Sequence, residues 1–170
     1  MPSTVVKQKI LPEGVNTMKK KKNLQVAVIG SSDANRELVA LATEVGGVIA
    51  SKGAVLICGG LGGIMEGAAR GAKEKGGLTI GILPDYNKES ANPFIDVALP
   101  TGLGHARNIL VAASADVIVA LPGSHGTRSE ISIALKLCKP VIGVRAWGEI
   151  LGVRQVSSIE ELRKELVPFF

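Results

Sequence analysis

ADVIVALPGSHGTRSEISIALK, residues 115–136, is the stretch of this sequence that decides the fold. It begins with an apolar run rich in β-branched residues, Val117 to Leu121, which predicts a short buried strand. Apolar residues then recur at helical spacing, namely Ile131, Ile133, Ala134 and Leu137. A strand that leads through a glycine loop into a helix is typical of a parallel α/β sheet.

The loop in this stretch has the features of an anion site. Gly123 and Gly126 predict a tight turn with positive φ, where bare backbone lets a ligand reach the free amides of the helix start. A phosphate suits such amides. The same residues also fit a structural role, because Thr127 followed by Glu130 predicts a capping box that needs no ligand. The local pattern leaves both interpretations open.

Length and charge predict one domain with a basic tail. The chain has 170 residues, 46% of them hydrophobic, which is enough for one well-buried core. Its net charge of +5 comes from residues 1–23, which hold six lysines and one glutamate, whereas the remainder has 14 basic and 14 acidic residues. We predict a basic N-terminal extension over residues 1–23 and a single nucleotide-binding domain over residues 24–170. A neutral domain with few aromatic residues argues against a nucleic-acid partner.

Other classes of protein are disfavoured by what the sequence lacks. No apolar run is long enough to cross a membrane and no secretion signal is recognisable, so we predict a cytoplasmic protein. Cys58 and Cys138 fit buried apolar positions better than a disulfide or a metal site. We find no metal-ligand cluster, no nucleophile with a neighbouring base and no lysine environment suited to pyridoxal phosphate. The prediction is therefore no metal and no cofactor.

Strands and helices alternate along the rest of the chain. The predicted strands cover residues 25–29, 54–58, 78–83, 95–99, 117–121 and, as the last strand, 141–144. The predicted helices cover residues 35–51, 64–75, 104–113, the segment from 127 and 158–166. Continuous apolar strands without period-two alternation indicate a sheet buried on both faces. The fold class predicted is α/β, a Rossmann-like doubly wound, mostly parallel sheet with helices on both faces.

Such a sheet places three glycine-bearing loops at one edge. Ligands bind beyond the carboxyl ends of the strands, where the strand order reverses, and these three loops follow predicted strands. The predicted ligand-binding residues are Gly30, Ser31, Ser32, Gly59, Gly60, Gly62, Gly63, Met65, Pro122, Gly123, Ser124, His125, Gly126 and Thr127. Together with Arg107, which follows another strand, the loops predict a site for a small phosphorylated ligand.

A longer motif connects these residues to a known family. Arg107 stands fifteen positions before a motif formed by Pro122, Gly123, Gly126, Thr127 and Glu130, and residues 59–66 read GGLGGIME. From Gln25 to about Val144 the chain resembles the LOG (LONELY GUY) family, often labelled "lysine decarboxylase", whose hallmark is P-G-G-x-G-T-x-x-E after an arginine. The resemblance implies hydrolysis of the N-glycosidic bond of nucleoside 5′-monophosphates, giving free base and ribose 5-phosphate, by a homodimer.

Four positions depart from the pattern of the hydrolases. Ser124 replaces the second glycine, His125 takes the variable position, Ile131 replaces a second glutamate, and Asn108 replaces the lysine after the arginine. These features resemble a sub-branch with molybdenum-cofactor carrier-like proteins and the Rossmann part of DNA-processing proteins. Two functions therefore stay open: a phosphoribohydrolase, and a non-catalytic carrier of a phosphorylated pterin-like cofactor. The base, the occurrence of turnover and the oligomeric state stay open as well.

The hydrolase chemistry assigns roles to two side chains. Cleaving a ribosyl C–N bond passes through a cation-like sugar, so the site needs a carboxylate and a firm hold on the phosphate. We predict Glu130 as this carboxylate, kept ionised by the helix N-terminus. Arg107 is predicted to bind the phosphate or sugar, with a structural ion pair to Glu130 or Asp116 as the alternative. His125 is a weaker candidate as proton donor to the base.

The alanine-rich helix faces suggest a surface for self-association. The helices after Gly63 and Gly104 carry Ile64, Ala68, Ala72, Ile109 and Ala113, more apolar surface than one side of a sheet requires. With the family resemblance, this predicts a homodimer or higher homo-oligomer.

Overall fold

The structure consists of one seven-stranded sheet with helices on both faces. A computed structural model describes residues 23–146 and 148–170, so the predicted extension lies outside the described residues except for Asn23. The strands are β1 (Gln25–Ile29), β2 (Val55–Cys58), β3 (Thr79–Leu83), β4 (Val97–Pro100), β5 (Val117–Ala120), β6 (Val141–Val144) and β7 (Val153–Val156). The α-helices are α1 (Arg36–Ser51), α2 (Ile64–Glu74), α3 (Asn108–Ser114), α4 (His125–Lys136) and α5 (Ile159–Leu166).

The strand order is β4-β3-β2-β1-β5-β6-β7, and every neighbouring pair is parallel. The predicted α/β Rossmann-like class is confirmed. The order runs in opposite directions on the two sides of β1, so the switch point lies between β1 and β5. Ligand sites of doubly wound sheets form beyond the carboxyl ends of the strands at this point.

Alternate residues of the strands feed two hydrophobic cores. Val26 and Val28 of β1 pack with α1, α2 and α5 on one face, while Ala27 and Ile29 pack with α3 and α4 on the other. On the first face, α1 and α2 approach so closely that a Cβ atom at Gly46 or Gly71 would overlap the backbone of the other helix. This close packing fixes α2, whose N-terminus follows the second glycine loop.

Three predictions about the elements are wrong. The last strand is β7 and not the predicted strand over residues 141–144. β7 was not predicted from the sequence because it is an edge strand with Arg154 and Gln155 exposed, so it has no apolar run. The predicted helix over residues 104–113 divides into a 3₁₀ turn, Gly104–Arg107, and α3. The α2 part of the predicted dimer surface, Ile64, Ala68 and Ala72, is fully buried in the core of this chain. Among the described residues, no helix has the length and hydrophobicity needed to cross a membrane.

Candidate functional site

A cavity of about 190 Å³ lies at the switch point, beyond the carboxyl ends of β1, β2 and β5. Ten of the sixteen predicted site residues line it: Gly30, Ser31, Ser32, Gly59, Met65, Arg107, Ser124, Gly126, Thr127 and Glu130. The remaining six lie outside the lining: Gly60, Gly62, Gly63, Pro122, Gly123 and His125. Five further residues line the cavity that were not among the predicted site residues: Val28, Ile29, Leu61, His105 and Asn108.

Hydrogen bonds join the three glycine loops. The amide of Ser31 donates to the carbonyl of Pro122 at 3.2 Å, and the amide of Ile64 donates to the carbonyl of Ser31 at 2.9 Å. Gly63 has φ of +62° and a Cβ atom there would overlap the Ser31 carbonyl, so the second loop needs glycine at this position. The structure thus brings together the loops that the sequence placed at one edge.

Asn92 holds the second glycine loop through hydrogen bonds, a role that was not predicted from the sequence. It is a buried residue of the polar loop before β4. Its backbone amide and its Nδ2 donate to the carbonyl of Gly60 at 2.9 and 3.2 Å, and Nδ2 also donates to the carbonyl of Leu61 at 2.9 Å. A polar loop residue without a motif has no local signal that distinguishes it from a solvated one.

The loop before α4 differs from its prediction. The helix begins at His125 with Ser124 as N-cap, so Thr127 and Glu130 lie inside the helix and the predicted capping box is wrong. Gly123 and Gly126 do not have the predicted positive φ. Gly123 is instead required by close approach, since a Cβ atom there would overlap Oγ1 of Thr127 and lie 3.0 Å from the amide of Ser31.

The first turn of α4 is left open toward the cavity. The helices α1 and α5 do not line the cavity, and polar side chains cap their N-termini. In α1, Asn35 accepts from Leu38 N at 2.9 Å, and in α5, Ser158 accepts from Glu161 N at 3.2 Å. The N-caps of α2 and α4 make no such side-chain bond, and these two helices supply Met65 and Thr127 to the cavity lining. Uncapped amides at a helix N-terminus form a ready anion site.

Arg107 and Glu130 meet at the floor of the cavity. Both are buried, with 8% and 7% of their surfaces exposed, and Nη1 of Arg107 lies 3.4 Å from Oε1 of Glu130. Nη1 also donates to Oδ1 of Asn108 at 2.6 Å, and Nη2 donates to the carbonyl of Gly59 at 3.4 Å. Within the described residues, the buried Nε of Arg107 has no hydrogen-bond partner. Asp116, the other predicted ion-pair partner, accepts instead from the amide of Gln25.

Burial changes the acidity of this pair. It raises the pKa of Glu130 to about 7, although the positive charge of Arg107 acts in the opposite direction. It also lowers the pKa of Arg107, opposed by Glu130. The prediction that the helix N-terminus keeps Glu130 ionised is therefore wrong, because the residue lies beyond the first turn and away from water. A carboxyl group of this pKa exchanges its proton near neutral pH and suits acid–base work.

The remaining titratable candidates contribute little to the cavity. Burial raises the pKa of the Cys58 thiol to about 11, and its Sγ accepts from the amide of Gly60, a structural role. Cys138 was predicted to be buried but is exposed, in a left-handed conformation just after α4. The described residues contain no group of His, Cys, Asp and Glu suited to hold a metal ion.

The fold and the cavity define a class of protein: Rossmann-like α/β proteins with a cavity between glycine loops, lined by one arginine and one carboxyl group, at the switch point. The SLOG cluster4 family model matches residues 23–166, and the chain belongs to this family. The predicted relation to LOG-type and molybdenum-cofactor carrier-like proteins is confirmed.

Relatives of both predicted kinds are found. A protein of Archaeoglobus fulgidus is 45% identical over 82% of this chain and 92% of its own length. The cytokinin riboside 5′-monophosphate phosphoribohydrolase of Mycobacterium tuberculosis is 32% identical over 73% of this chain and 71% of its own. The solved molybdenum cofactor binding protein from Rippkaea orientalis is 36% identical, with a TM-score of 0.77, over 86% of this chain and 99% of its own. DNA processing protein A from Helicobacter pylori, 21% identical with a TM-score of 0.67, shares the fold alone.

Proposed function

We propose that this protein binds the phosphate monoester of a nucleotide-like ligand, with the phosphate at the first turn of α4. The observation that carries this proposal is the open space at that turn. Apart from its chain neighbours and the backbone of its own helix, a Cβ atom at Gly126 would meet nothing within 4 Å, and the amides around it have no side-chain cap. A phosphate there accepts from these amides and from the positive end of the helix dipole.

The buried arginine supports an anionic ligand at the same place. Arg107 keeps a full positive charge, and its Nε is a donor without a partner among the described residues. A buried unpaired donor costs free energy, which a ligand oxygen or a water recovers when it binds. We propose that the bound ligand contacts the guanidinium of Arg107, which lines the cavity.

The cavity is large enough to enclose only part of a nucleotide-like ligand. A volume of about 190 Å³ is smaller than the roughly 300–1,000 Å³ of sites that enclose a whole drug-sized ligand. We therefore place the sugar phosphate inside and the ring system at the rim. Leu61 and Met65 supply apolar lining to the cavity.

Glu130 gives this site the means for N-glycosidic hydrolysis. Water adds to the anomeric carbon, the C–N bond breaks, and the departing base takes up a proton. A pKa of about 7 leaves about half of the Glu130 carboxyl groups ionised at neutral pH, and in this form Glu130 stabilises the cation-like sugar and orients the water, while Arg107 holds the phosphate or sugar. The products are the free base and ribose 5-phosphate, as the name of the Mycobacterium relative implies for its own reaction.

The alternative function is a non-catalytic carrier of a phosphorylated pterin-like cofactor. The chain spans 99% of the Rippkaea cofactor binding protein but 71% of the Mycobacterium hydrolase. Ile131, which stands where the hydrolases have a second glutamate, is only 2% exposed and packs into the core. Glu130 is therefore left as the one carboxylate that the described residues contribute to the cavity. Both functions use the same phosphate site and differ in turnover.

We also propose a homodimer through an apolar strip formed by β3, β4 and α3. In the part of the chain that the structure describes, two helices, α3 and α4, cover the second face of the seven-stranded sheet. The pairing of β3 with β4 puts Val97 and Leu99 on this face beside Ile80 and Ile82. Val97, Leu99 and, on α3, Ile109 are 41%, 45% and 51% exposed. A second copy of the chain would cover this strip.

Incubation with a panel of nucleoside 5′-monophosphates, with free base followed by chromatography, tests the function. Release of base supports the hydrolase, and binding without release supports the carrier. If calorimetry shows no binding of any nucleotide, of ribose 5-phosphate or of a phosphorylated pterin, the proposed phosphate site is wrong.

A further inference from the structure

A chain of three hydrogen bonds, the Asn108 relay, connects Arg107 to the first turn of α4. Nη1 of Arg107 donates to Oδ1 of Asn108 at 2.6 Å, and Nδ2 of Asn108 donates to Oγ of Ser129 at 3.2 Å. The Ser129 hydroxyl in turn donates to the carbonyl of Gly126 at 2.6 Å. The chain thus begins at the cationic group of the cavity and ends at the anion-binding turn.

The chemistry of the groups fixes the direction of this chain. A guanidinium has donors only, so the Asn108 oxygen must face Arg107 and its NH₂ must face Ser129. The Ser129 hydroxyl then accepts from Asn108 and has its own proton left for Gly126. Reversing the Asn108 amide would set donor against donor at Arg107, so a single arrangement satisfies all three bonds.

Asn108 is also the nearest acceptor of the Arg107 guanidinium. The 2.6 Å contact is shorter than the 3.4 Å contacts with Glu130 and with the Gly59 carbonyl, and Asn108 is 6% exposed. A neutral partner at this distance holds the guanidinium away from a close ion pair with Glu130. The two groups still form an ion pair at 3.4 Å, but the pair is longer than the contact with Asn108, which leaves the guanidinium less tightly engaged by Glu130.

We propose that Asn108 is a positioning residue, which together with Ser129 fixes the Arg107 guanidinium relative to the amides of α4 and prevents a shorter ion pair with Glu130. This inference rests on the proposed function only where it concerns ligand binding. Its geometric part, the separation of Arg107 from Glu130, concerns the ligand-free protein.

Asn108→Leu tests whether Asn108 limits the approach of Arg107 to Glu130, because leucine has a similar size but no hydrogen-bond acceptor. Glu130 becomes the nearest acceptor for Nη1, and a closer ion pair stabilises the carboxylate. We expect the midpoint of the Glu130 titration, followed by carboxyl ¹³C NMR without ligand, to fall by about one pH unit. An unchanged midpoint in the folded variant overturns the relay.

Binding of adenosine 5′-monophosphate by calorimetry at pH 5.5 to 8.5 is the second measurement. We expect about tenfold weaker binding by Asn108→Leu at pH 7, as for loss of a hydrogen bond to a charged group. Ser129→Ala, an exposed position that spares the core, should weaken binding about threefold. The matched control is Ser132→Ala, whose hydroxyl bonds the Arg128 carbonyl on the same helix outside the cavity, and it should bind as the wild type does.

The two measurements separate the two ideas. A shifted Glu130 midpoint in a protein that binds no adenosine 5′-monophosphate supports the relay and counts against the proposed ligand class. Normal binding by both Asn108→Leu and Ser129→Ala overturns the relay while the proposed function stands. If Asn108→Leu fails to fold, equal affinities of Ser129→Ala and Ser132→Ala overturn it.

Discussion

The guanidinium of Arg107 lies directly on the backbone of Gly59. A Cβ atom at Gly59 would overlap Nη2 of Arg107 and lie 2.7 Å from Sδ of Met65. Gly59 is not among the glycines with positive φ, so the space beside it, and not its backbone conformation, requires a glycine. The second glycine loop therefore provides the surface on which the Arg107 guanidinium packs.

Gly59→Ala should displace Arg107 and weaken ligand binding. The added methyl group must move the guanidinium or the Met65 side chain, and we expect about tenfold weaker binding of adenosine 5′-monophosphate by calorimetry. Gly47→Ala is the control, because its Cβ atom would have no neighbour nearer than 3.6 Å. Equal affinities of the two variants would show that the position of Arg107 does not matter for binding.

Gly126→Val should fold and lose affinity. The valine side chain would start in open space on the cavity side of α4, where the proposed phosphate lies. We expect binding of ribose 5-phosphate to weaken at least about tenfold, with circular dichroism unchanged. Ser132→Val places the same side chain on α4 outside the cavity and should bind normally. Normal binding by folded Gly126→Val would mean that this loop is not the anion site.

The buried carboxyl group of Glu130 should make the protein less stable as pH rises. Its pKa is about 7 in the folded chain against an ordinary value of 4.5, so the folded state binds the proton more tightly than the unfolded state. This contribution is fully present below about pH 4.5 and is lost as pH rises through 7. At about 1.4 kcal/mol for each pH unit, the loss is on the order of 3 kcal/mol.

Urea denaturation of wild type and Glu130→Gln between pH 4.5 and 8 measures this term, because the other titrating groups are common to both proteins. The stability of the wild type relative to the variant should fall over this range and level off above pH 7 to 8. A relative stability that rises with pH would mean that the ion pair with Arg107 outweighs burial.

Glu130→Gln and Arg107→Ala should affect turnover differently. Glutamine removes the negative charge that stabilises a cation-like sugar, so base release should slow by about 10² to 10³, or roughly 3 to 4 kcal/mol of barrier, with much of the ligand affinity kept. Arg107→Ala should weaken binding as well, because it removes the buried cation. Base release by Glu130→Gln at the wild-type rate would reject the mechanism proposed for Glu130.

Leu99→Glu should convert the proposed dimer to a monomer. A charge in the apolar strip would be buried without a partner at the interface, which costs several kcal/mol. Leu151→Glu is the matched control, because Leu151 is 97% exposed in the loop before β7. Light scattering of the wild type tests the premise, and a monomer at high protein concentration would contradict it.

The sequence alone determined the sheet and the edge at which its loops meet. Continuous apolar runs such as Val117 to Leu121 are local signals of strands buried on both faces, and alternating helices leave a parallel arrangement as the solution. Glycines in the loops that follow these strands then place Gly30, Gly59 and Gly123 at the carboxyl edge. These conclusions depend on neighbours in sequence, so they were predictable.

Tertiary structure decided the partners and the protonation of the site. Asn92 and Ser129 act through contacts with residues elsewhere in the chain, and no local pattern marks them. The pKa of Glu130 depends on its burial and on Arg107, which is 23 positions away in the sequence. The apolar residues of α2 were predicted from the sequence to form part of a dimer surface, but in the folded chain they are buried in the core. Burial and pairing of this kind are properties of the packed molecule, because the surroundings of each group come from several distant segments.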